Sequence, residues 1–348
     1  MLLNAIQVNE DVVNALSDRL STILGKGEDA VFNSALPECP DLQVIERIYE
    51  KFGNEARRLV DVGLVEKVVS RVIELFAIIQ ELPDIEESFD IIKSLIDSID
   101  FGKCVIEQAS NVGEKKLVQA TSKIDKNKLS QLSKRAAELI ITSRDAVRVF
   151  QEVSAGKLFK DKMAILLMYC IHRLLKGTRF ELGNVLSLPA HVDIHLIKVL
   201  LRVGVLVINP EVLEKYAGAG RYRVRIVPVC ARLAPDEPFK TLWDVLRRHS
   251  LTVLKVLCER LEAPQLLIGE YLSAIGKRIC IFNDDSVASP HLCPVKDLRQ
   301  CPLAVVCRAY AGLQNVRIFS RRQARLLLRF FGVSPRRAED VECELIVI

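Results

Sequence analysis

Apolar residues recur at helical spacing throughout residues 1–157. Leu16 and Leu20 lie four residues apart, and residues 55–82 continue the same periodicity. This pattern predicts amphipathic helices that bury one apolar face. Gly63 is the weak point of the 55–82 helix, because a glycine inside a helix loses more backbone entropy than other residues. Alternating strand patterns are absent here, so we expect an all-α region.

A lysine-rich segment, residues 115–135, follows within this region. It is consistent with a basic flexible connector or with the exposed face of a long helix that runs to Phe150. Mixed polar and charged residues are typical of a solvated helix face, which is the favoured interpretation. The pair Ala155-Gly156 then predicts a domain boundary.

Residues 160–228 differ from the preceding region, because their hydrophobic patterns indicate several short helices followed by strands. Gly177, Pro189 and Gly204 separate successive apolar runs, and a glycine-bearing loop separates two β-patterned runs. The predicted elements are helices at 162–175, 180–188 and 191–203, followed by strands at 205–208 and 221–227.

This order resembles a winged helix, and residues 196–206 resemble the usual end of its third helix. The resemblance implies a DNA-binding protein whose third helix enters the major groove, with DNA favoured over RNA. Outward cations on that helix would be Lys198 and Arg202. Alternation places Arg221, Arg223 and Arg225 on one face of the wing strand, where they suit phosphates. A module that contacts only proteins remains the alternative.

Helical patterns resume after Pro238. We expect helices at 242–248, at 250–261 with Ser250 as N-cap, and at 266–275, and a strand at 278–282.

An arginine stripe is the sharpest signal near the C-terminus. Between Cys301 and Ala338 there are eight arginines and no acidic residue. A helix beginning after Ser320 would place arginines on one face without carboxylate partners one turn away, which favours polyanion binding. The stripe consists of Arg321, Arg322, Arg325 and Arg329.

Four cysteines precede and overlap this block: Cys280, Cys293, Cys301 and Cys307. Their C-x12-C-x7-C-x5-C spacing lacks the close pairs of structural zinc sites, which makes zinc the weaker prediction. Two of the four precede proline, as iron–sulfur ligands often do. A [4Fe-4S] cluster, buried thiols and a Cys301–Cys307 disulfide all remain open.

Helical nucleic-acid-binding domains combined with such cysteines are similar in architecture to an archaeal transcription-initiation subunit and to the primase large subunit. The resemblance implies an iron–sulfur protein of archaeal type. Few Met and Gln with abundant Glu, Lys and Arg fit a hyperthermophilic source, in which an intracellular disulfide is a real competitor to a metal site.

The overall charge of +5 is unevenly distributed. Residues 1–160 carry 21 basic and 26 acidic side chains, whereas residues 161–348 carry 28 and 18. We therefore expect any nucleic-acid face in the second half. No apolar run is long enough for a membrane span, and the start does not resemble a secretory signal, which predicts a cytoplasmic protein.

Motifs for phosphate loops, dinucleotide binding, zinc proteases and serine hydrolases are absent from the sequence. No catalytic residues are therefore predicted. The sequence predicts a mainly α protein with an acidic helical domain at 1–157, a winged helix at 158–232 and a basic helical domain at 233–348. The predicted function is a non-catalytic nucleic-acid-binding subunit of a transcription, replication or defence assembly, which contacts protein subunits through its N-terminal domain. A scaffold that contacts only proteins is the alternative.

Overall fold

The computed structural model describes residues 6–209, 218–219, 225–228, 241–280, 298–308, 310–311, 317–319 and 345–347. The chain divides into two compact units. The helical unit comprises residues 32–191 with 264–267, and the mixed unit comprises residues 1–31, 192–263 and 268–348. These units do not coincide with the three predicted domains, because the segment expected to form a winged helix crosses from one unit to the other.

Eight helices lie wholly in the helical unit. They are α3 (Pro40–Asp61), α4 (Val65–Ile79), α5 (Phe89–Ser98), α6 (Val105–Asn111), α7 (Lys115–Ser122), α8 (Lys126–Ser143), α9 (Ala146–Ala155) and α10 (Asp161–Leu175). The preceding helix, α2 (Glu28–Ala35), crosses the division between the units. Helix α3 packs against α5 and α10, and α4 packs against α8. The predicted mainly α class is confirmed.

Two helices that the sequence predicted to be continuous are broken. Gly63 has a φ of 84°, and it separates the end of α3 from the start of α4. Glycine adopts this left-handed backbone without the steric cost that other residues carry. The predicted helix through Phe150 is interrupted at Arg144, whose φ is 51°, and Asp145 then caps α9.

The contact between α3 and α10 contains a buried cation. The Arg173 guanidinium lies 4.2 Å from the Phe32 ring centroid and 5.0 Å from that of Tyr49. Its Nη2 atom also pairs with Glu46 Oε2 at 3.1 Å. Cys170, on the same helix, is fully buried, and burial raises the pKa of its thiol. This region is a packed core with an internal charge pair.

The mixed unit contains the remaining elements, two of which adjoin the N-terminus. The elements are β1 (Ile6–Val8), α1 (Glu10–Leu24), α11 (Ile194–Val203), β2 (Leu206–Ile208), β3 (Gly218–Ala219), β4 (Arg225–Pro228), α12 (Leu242–Leu261), α13 (Gln265–Arg278, which begins at the division), β5 (Arg317–Phe319) and β6 (Leu345–Val347). The expectation that residues 1–157 contain no strand is wrong, because β1 is present.

Strand pairing in the mixed unit differs from a winged-helix hairpin. Strand β2 pairs antiparallel with β1, so that Ile208 lies opposite Ile6. Strand β4 pairs with β3 and β6 in a sheet of order β3-β4-β6-β5. The helix predicted at 180–188 is also wrong, since only a 3-10 turn at Val185–Ser187 forms there. The resemblance to a winged helix is not confirmed.

The predicted break before Ser250 is wrong as well. Helix α12 runs unbroken through this residue, which is buried and donates its hydroxyl hydrogen bond to the Leu246 carbonyl. Thr241 caps α12 instead, in a reciprocal capping box with Asp244. Helix α13 likewise extends to Arg278, so the start of the predicted 278–282 strand is helical, and residues 281–282 lie outside the described residues.

Candidate functional site

Most of the residues predicted to contact nucleic acid lie outside the described residues. Those outside the described residues are Arg221, Arg223, Arg321, Arg322, Arg325 and Arg329, and the same holds for the predicted metal ligand Cys293. Arg225 begins β4, of which the backbone is described. The roles assigned to these residues stay predictions.

Lys198 and Arg202 lie on α11, and they are not outward-facing as predicted. Asp193 begins this helix by accepting a hydrogen bond from the Leu196 N–H at 2.8 Å, and Gly204 ends it with a φ of 92°. Lys198 is only 8% exposed and Arg202 only 2%. The expectation of side chains that reach into a DNA groove is therefore wrong in its geometry, because the apolar helix buries both long side chains.

Helix α13 approaches the start of α11 closely. Ser273 donates a hydrogen bond to Asp193 Oδ2 at 2.6 Å, and Gly276 approaches the His195 carbonyl so closely that a Cβ atom there would overlap it. The next turn of α13 leads to Cys280, which is buried and lies close enough to Lys198 to interact electrostatically.

The groups around Lys198 have opposing effects on its pKa. Burial lowers the pKa of Lys198, Arg202 lowers it further, and Cys280 and Asp193 act in the other direction. Lys198 and Arg202 are therefore buried side chains and do not form part of a surface.

Two further cysteines, Cys301 and Cys307, lie in a short segment that contacts the C-terminal end of α11. Cys307 donates a hydrogen bond from its Sγ atom to the Arg202 carbonyl at 3.5 Å. The neighbouring Arg308 N–H bonds to the Val203 carbonyl at 3.3 Å. Cys301, also buried, precedes Pro302, whose carbonyl accepts a hydrogen bond from Arg19 Nε at 2.7 Å. Segment 301–308 is thus anchored both to α1 and to the end of α11.

Two of the four predicted metal ligands, Cys280 and Cys307, consequently interact with residues of α11. Cys301 and Cys307 are not joined to each other by a disulfide in this structure. Within the described parts of the chain, no three His, Cys, Asp or Glu side chains converge closely enough to hold a metal ion. The described cysteines therefore do not form a metal-binding group in this structure.

The largest described basic surface lies elsewhere, in the helical unit. Between residues 115 and 160 there are eleven Lys and Arg against four Asp and Glu, a net charge of +7. All eleven basic residues are exposed. We call this set the α7–α9 surface, and its members are Lys115, Lys116, Lys123, Lys126, Lys128, Lys134, Arg135, Arg144, Arg148, Lys157 and Lys160.

Few of these cations are neutralised by ion pairs. Lys123 pairs with Glu81 at 3.6 Å, Lys128 with Asp125 at 3.5 Å and Arg135 with Glu152 at 3.3 Å. Among the residues that the structure describes, the other eight cations of the α7–α9 surface make no ion pair. An excess of exposed, unpaired cations produces a positive field that attracts polyanions.

The part of the helical unit that precedes the α7–α9 surface has the opposite charge. Residues 32–114 carry eight Lys and Arg against 17 Asp and Glu, a net charge of −9. Charge counted over the whole first half therefore conceals two regions of opposite sign. A count in shorter windows would have found the basic region, because the lysine-rich segment at 115–135 was already visible in the sequence.

Asp145, an acidic residue that lies among the cations of the α7–α9 surface, has a structural role. Asp145 accepts hydrogen bonds from the Asn184 amide at 2.9 Å and from the backbone N–H of Val147 at 2.9 Å. The Asn184 bond, followed by the N–H groups at the start of α9, holds the pKa of Asp145 below its ordinary value. This carboxylate caps α9 and so positions Arg148 one turn along.

Comparisons of the chain with protein-family models, with curated proteins and with solved structures find no match. Of the helices that the structure describes, none combines the length and apolar character that a membrane crossing requires.

Proposed function

We propose that this chain is a non-catalytic nucleic-acid-binding subunit of a larger assembly. The observation that carries the proposal is the α7–α9 surface, on which eleven cations are exposed and eight make no ion pair with a described residue. Phosphate backbones are the most abundant polyanions in a cell, and Lys and Arg bind them with release of counterions.

The arrangement of the helices favours a continuous binding face. Helices α8 and α9 pack against each other, and the ion pair between Arg135 and Glu152 joins them. The lysines of α7 precede them in the chain, and α7 shares with α8 a contact to α4. Such a face suits the sugar-phosphate backbone, and because backbone contacts carry no sequence information directly, we expect binding with little sequence preference.

The test uses the full chain and two matched triple variants. Lys126→Gln, Lys134→Gln and Arg148→Gln remove three charges from the α7–α9 surface. Arg58→Gln, Lys93→Gln and Lys103→Gln remove three exposed charges from the acidic region of the same unit. Binding of labelled duplex DNA, single-stranded DNA and RNA is measured by fluorescence anisotropy at several salt concentrations.

We expect the first variant to bind more weakly to every nucleic acid. The salt slope should flatten by about one unit for each phosphate that the variant no longer neutralises. The second variant should bind like the unmodified protein. Equal behaviour of the two variants would move the binding face to the arginine stripe or the wing. Absence of binding at low salt would leave the protein scaffold as the function.

A further inference from the structure

Two cations of the α7–α9 surface lie at the turn between α8 and α9. The two helices pack against each other and only Arg144 and Asp145 separate them, so they run antiparallel. Arg144 and Arg148 therefore both lie at the end of the pair where α8 stops and α9 starts, and both are exposed. We call them the turn group.

A larger group of exposed cations lies at the opposite end, where α8 begins. Gln80, which follows α4, donates a hydrogen bond to the Leu158 carbonyl at 2.7 Å, and the adjacent Glu81 pairs with Lys123 at 3.6 Å. The segment after α9 and the residues between α7 and α8 therefore meet at the end of α4. We call these cations the start group, and its members are Lys123, Lys126, Lys128, Lys157 and Lys160.

The length of α8 separates the two groups. Its 18 residues, at a rise of about 1.5 Å each, span about 27 Å. One turn of B-form DNA is about 34 Å long, so a duplex that lies along the α8–α9 pair would meet both groups within a single turn. About eight base pairs fit in that distance.

Aromatic side chains are scarce on the same surface. Residues 115–160, all of which the structure describes, contain no Trp, Tyr or His and two Phe. Phe159 is buried and Phe150 is half-buried, so neither ring is fully exposed. Proteins that bind single strands combine cations with aromatic side chains on which the bases stack. The α7–α9 surface has the cations of such a site without its stacking platform.

We propose, on the basis of the nucleic-acid binding proposed above, that the α7–α9 surface binds double strands in preference to single strands. The start group and the turn group contact phosphates of the same duplex. A duplex carries its phosphates at high density on a stiff frame. A single strand is flexible and must be ordered on binding, a cost that base stacking offsets elsewhere. DNA and RNA duplexes share this chemistry, and the experiment distinguishes them.

The full-length protein and its triple variant Lys126→Gln, Lys134→Gln and Arg148→Gln are compared on a DNA duplex, an RNA duplex and the corresponding single strands. The ratio of the two affinities isolates the α7–α9 surface from any other binding region. At about 0.1 M salt, the variant should lose about fourfold more affinity for the DNA duplex than for the DNA single strand, because each duplex contact releases more counterions. The duplex with the larger loss is the preferred ligand.

A single strand of abasic nucleotides shows whether bases contribute. The triple variant should lose the same affinity for this strand as for the normal single strand, because no base stacks on the surface. An equal or larger loss on the single strands than on the duplexes would overturn the duplex preference and leave nucleic-acid binding in place. Absence of binding to every one of these nucleic acids would remove both.

Hairpins with stems of five and ten base pairs test the spacing of the two groups. Five base pairs are about 17 Å long and reach one group at a time, whereas ten reach both. Lys126→Gln with Lys157→Gln weakens the start group, and Arg144→Gln with Arg148→Gln weakens the turn group. Each double variant should lose at least about fivefold in affinity for the longer stem and about twofold for the shorter one, because the remaining group still binds a short stem. Equal losses on both stems would overturn the contact of both groups with one duplex.

Discussion

Lys198 and Arg202 on α11 are buried beside cysteines, whereas the eleven cations of the α7–α9 surface are exposed and mostly without ion pairs. The residue types are the same, but the chemistry available to them differs. Exposed cations can exchange counterions for phosphates. Buried cations interact with nearby ionisable groups, which for Lys198 include Cys280 and the helix-capping Asp193. In this protein, what a basic side chain can bind therefore depends on whether it is exposed or buried.

The largest expected effect comes from disturbing the packing that creates the buried environment. Gly276→Ala adds a Cβ atom that overlaps the His195 carbonyl, and backbone atoms cannot move aside cheaply. We expect a loss of at least about 2 kcal/mol in the free energy of unfolding, as for other overpacked sites. Urea denaturation followed by circular dichroism measures it.

Gly156→Ala is the matched control for that substitution, because a Cβ atom there meets its neighbours at ordinary contact distances of 3.7 Å or more. Its effect should be neutral or stabilising by up to about 1 kcal/mol. Equal stability of the two variants would contradict the close approach of α13 to α11.

We expect an intermediate loss of stability when Asp145, the acidic residue that caps α9, is replaced. Asp145→Ala removes the cap of α9 and should cost about 1 kcal/mol at neutral pH. Because the folded-state pKa of Asp145 is lowered, its contribution is present above about pH 4 and is lost as pH falls through the folded pKa. The difference from the unmodified protein should therefore narrow in acid.

Thermal unfolding between neutral and acidic pH measures this dependence. Glu138→Ala provides the comparison, since Glu138 is an exposed carboxylate of α8 that makes no ion pair with another described residue. A stability difference for Asp145→Ala that stays constant at every pH would show that the carboxylate charge is not what stabilises α9.

The smallest effect on stability is expected for exposed cations, where we compare one that makes an ion pair with one that makes none. Arg135→Gln breaks the ion pair with Glu152, whose side chains are 69% and 31% exposed, and it should cost less than about 0.5 kcal/mol. Lys134→Gln changes the neighbouring cation, which makes no ion pair with a described residue. It should leave the free energy of unfolding unchanged, and it should lower nucleic-acid affinity by about as much as Arg135→Gln does. A coupling energy above about 1 kcal/mol between Arg135 and Glu152 would contradict this ranking.

Periodicity predicted the long helices well, because α1, α3 and α4 bury apolar residues that recur at helical spacing. It could not predict β1, which is three residues long and depends on a partner strand far along the chain. Ser250 shows a related limit. A polar residue typical of an N-cap is buried inside α12, where its hydroxyl bonds to the preceding turn.

The candidate site was predicted less well, for an equally physical reason. Long cationic side chains on a helix suggest an outward face, but their aliphatic stems pack against apolar neighbours. Lys198 and Arg202 are buried on α11, and the sequence contains no local signal for the tertiary contacts that bury them. The interaction of Cys280 with Lys198 and the hydrogen bond of Cys307 to the Arg202 carbonyl likewise required the fold.

The pairing of β1 with β2 has a consequence for how the chain folds. Ile6 lies opposite Ile208, so the strands can meet only after the intervening helical unit has been synthesised. Closing so long a flexible loop carries an entropic cost that grows with its length. Helices α3 to α10 make contacts within their own unit, and their early collapse would shorten the effective loop. We therefore expect the helical unit to form first during synthesis and the mixed unit to assemble afterwards, with the β1–β2 pairing among its late steps.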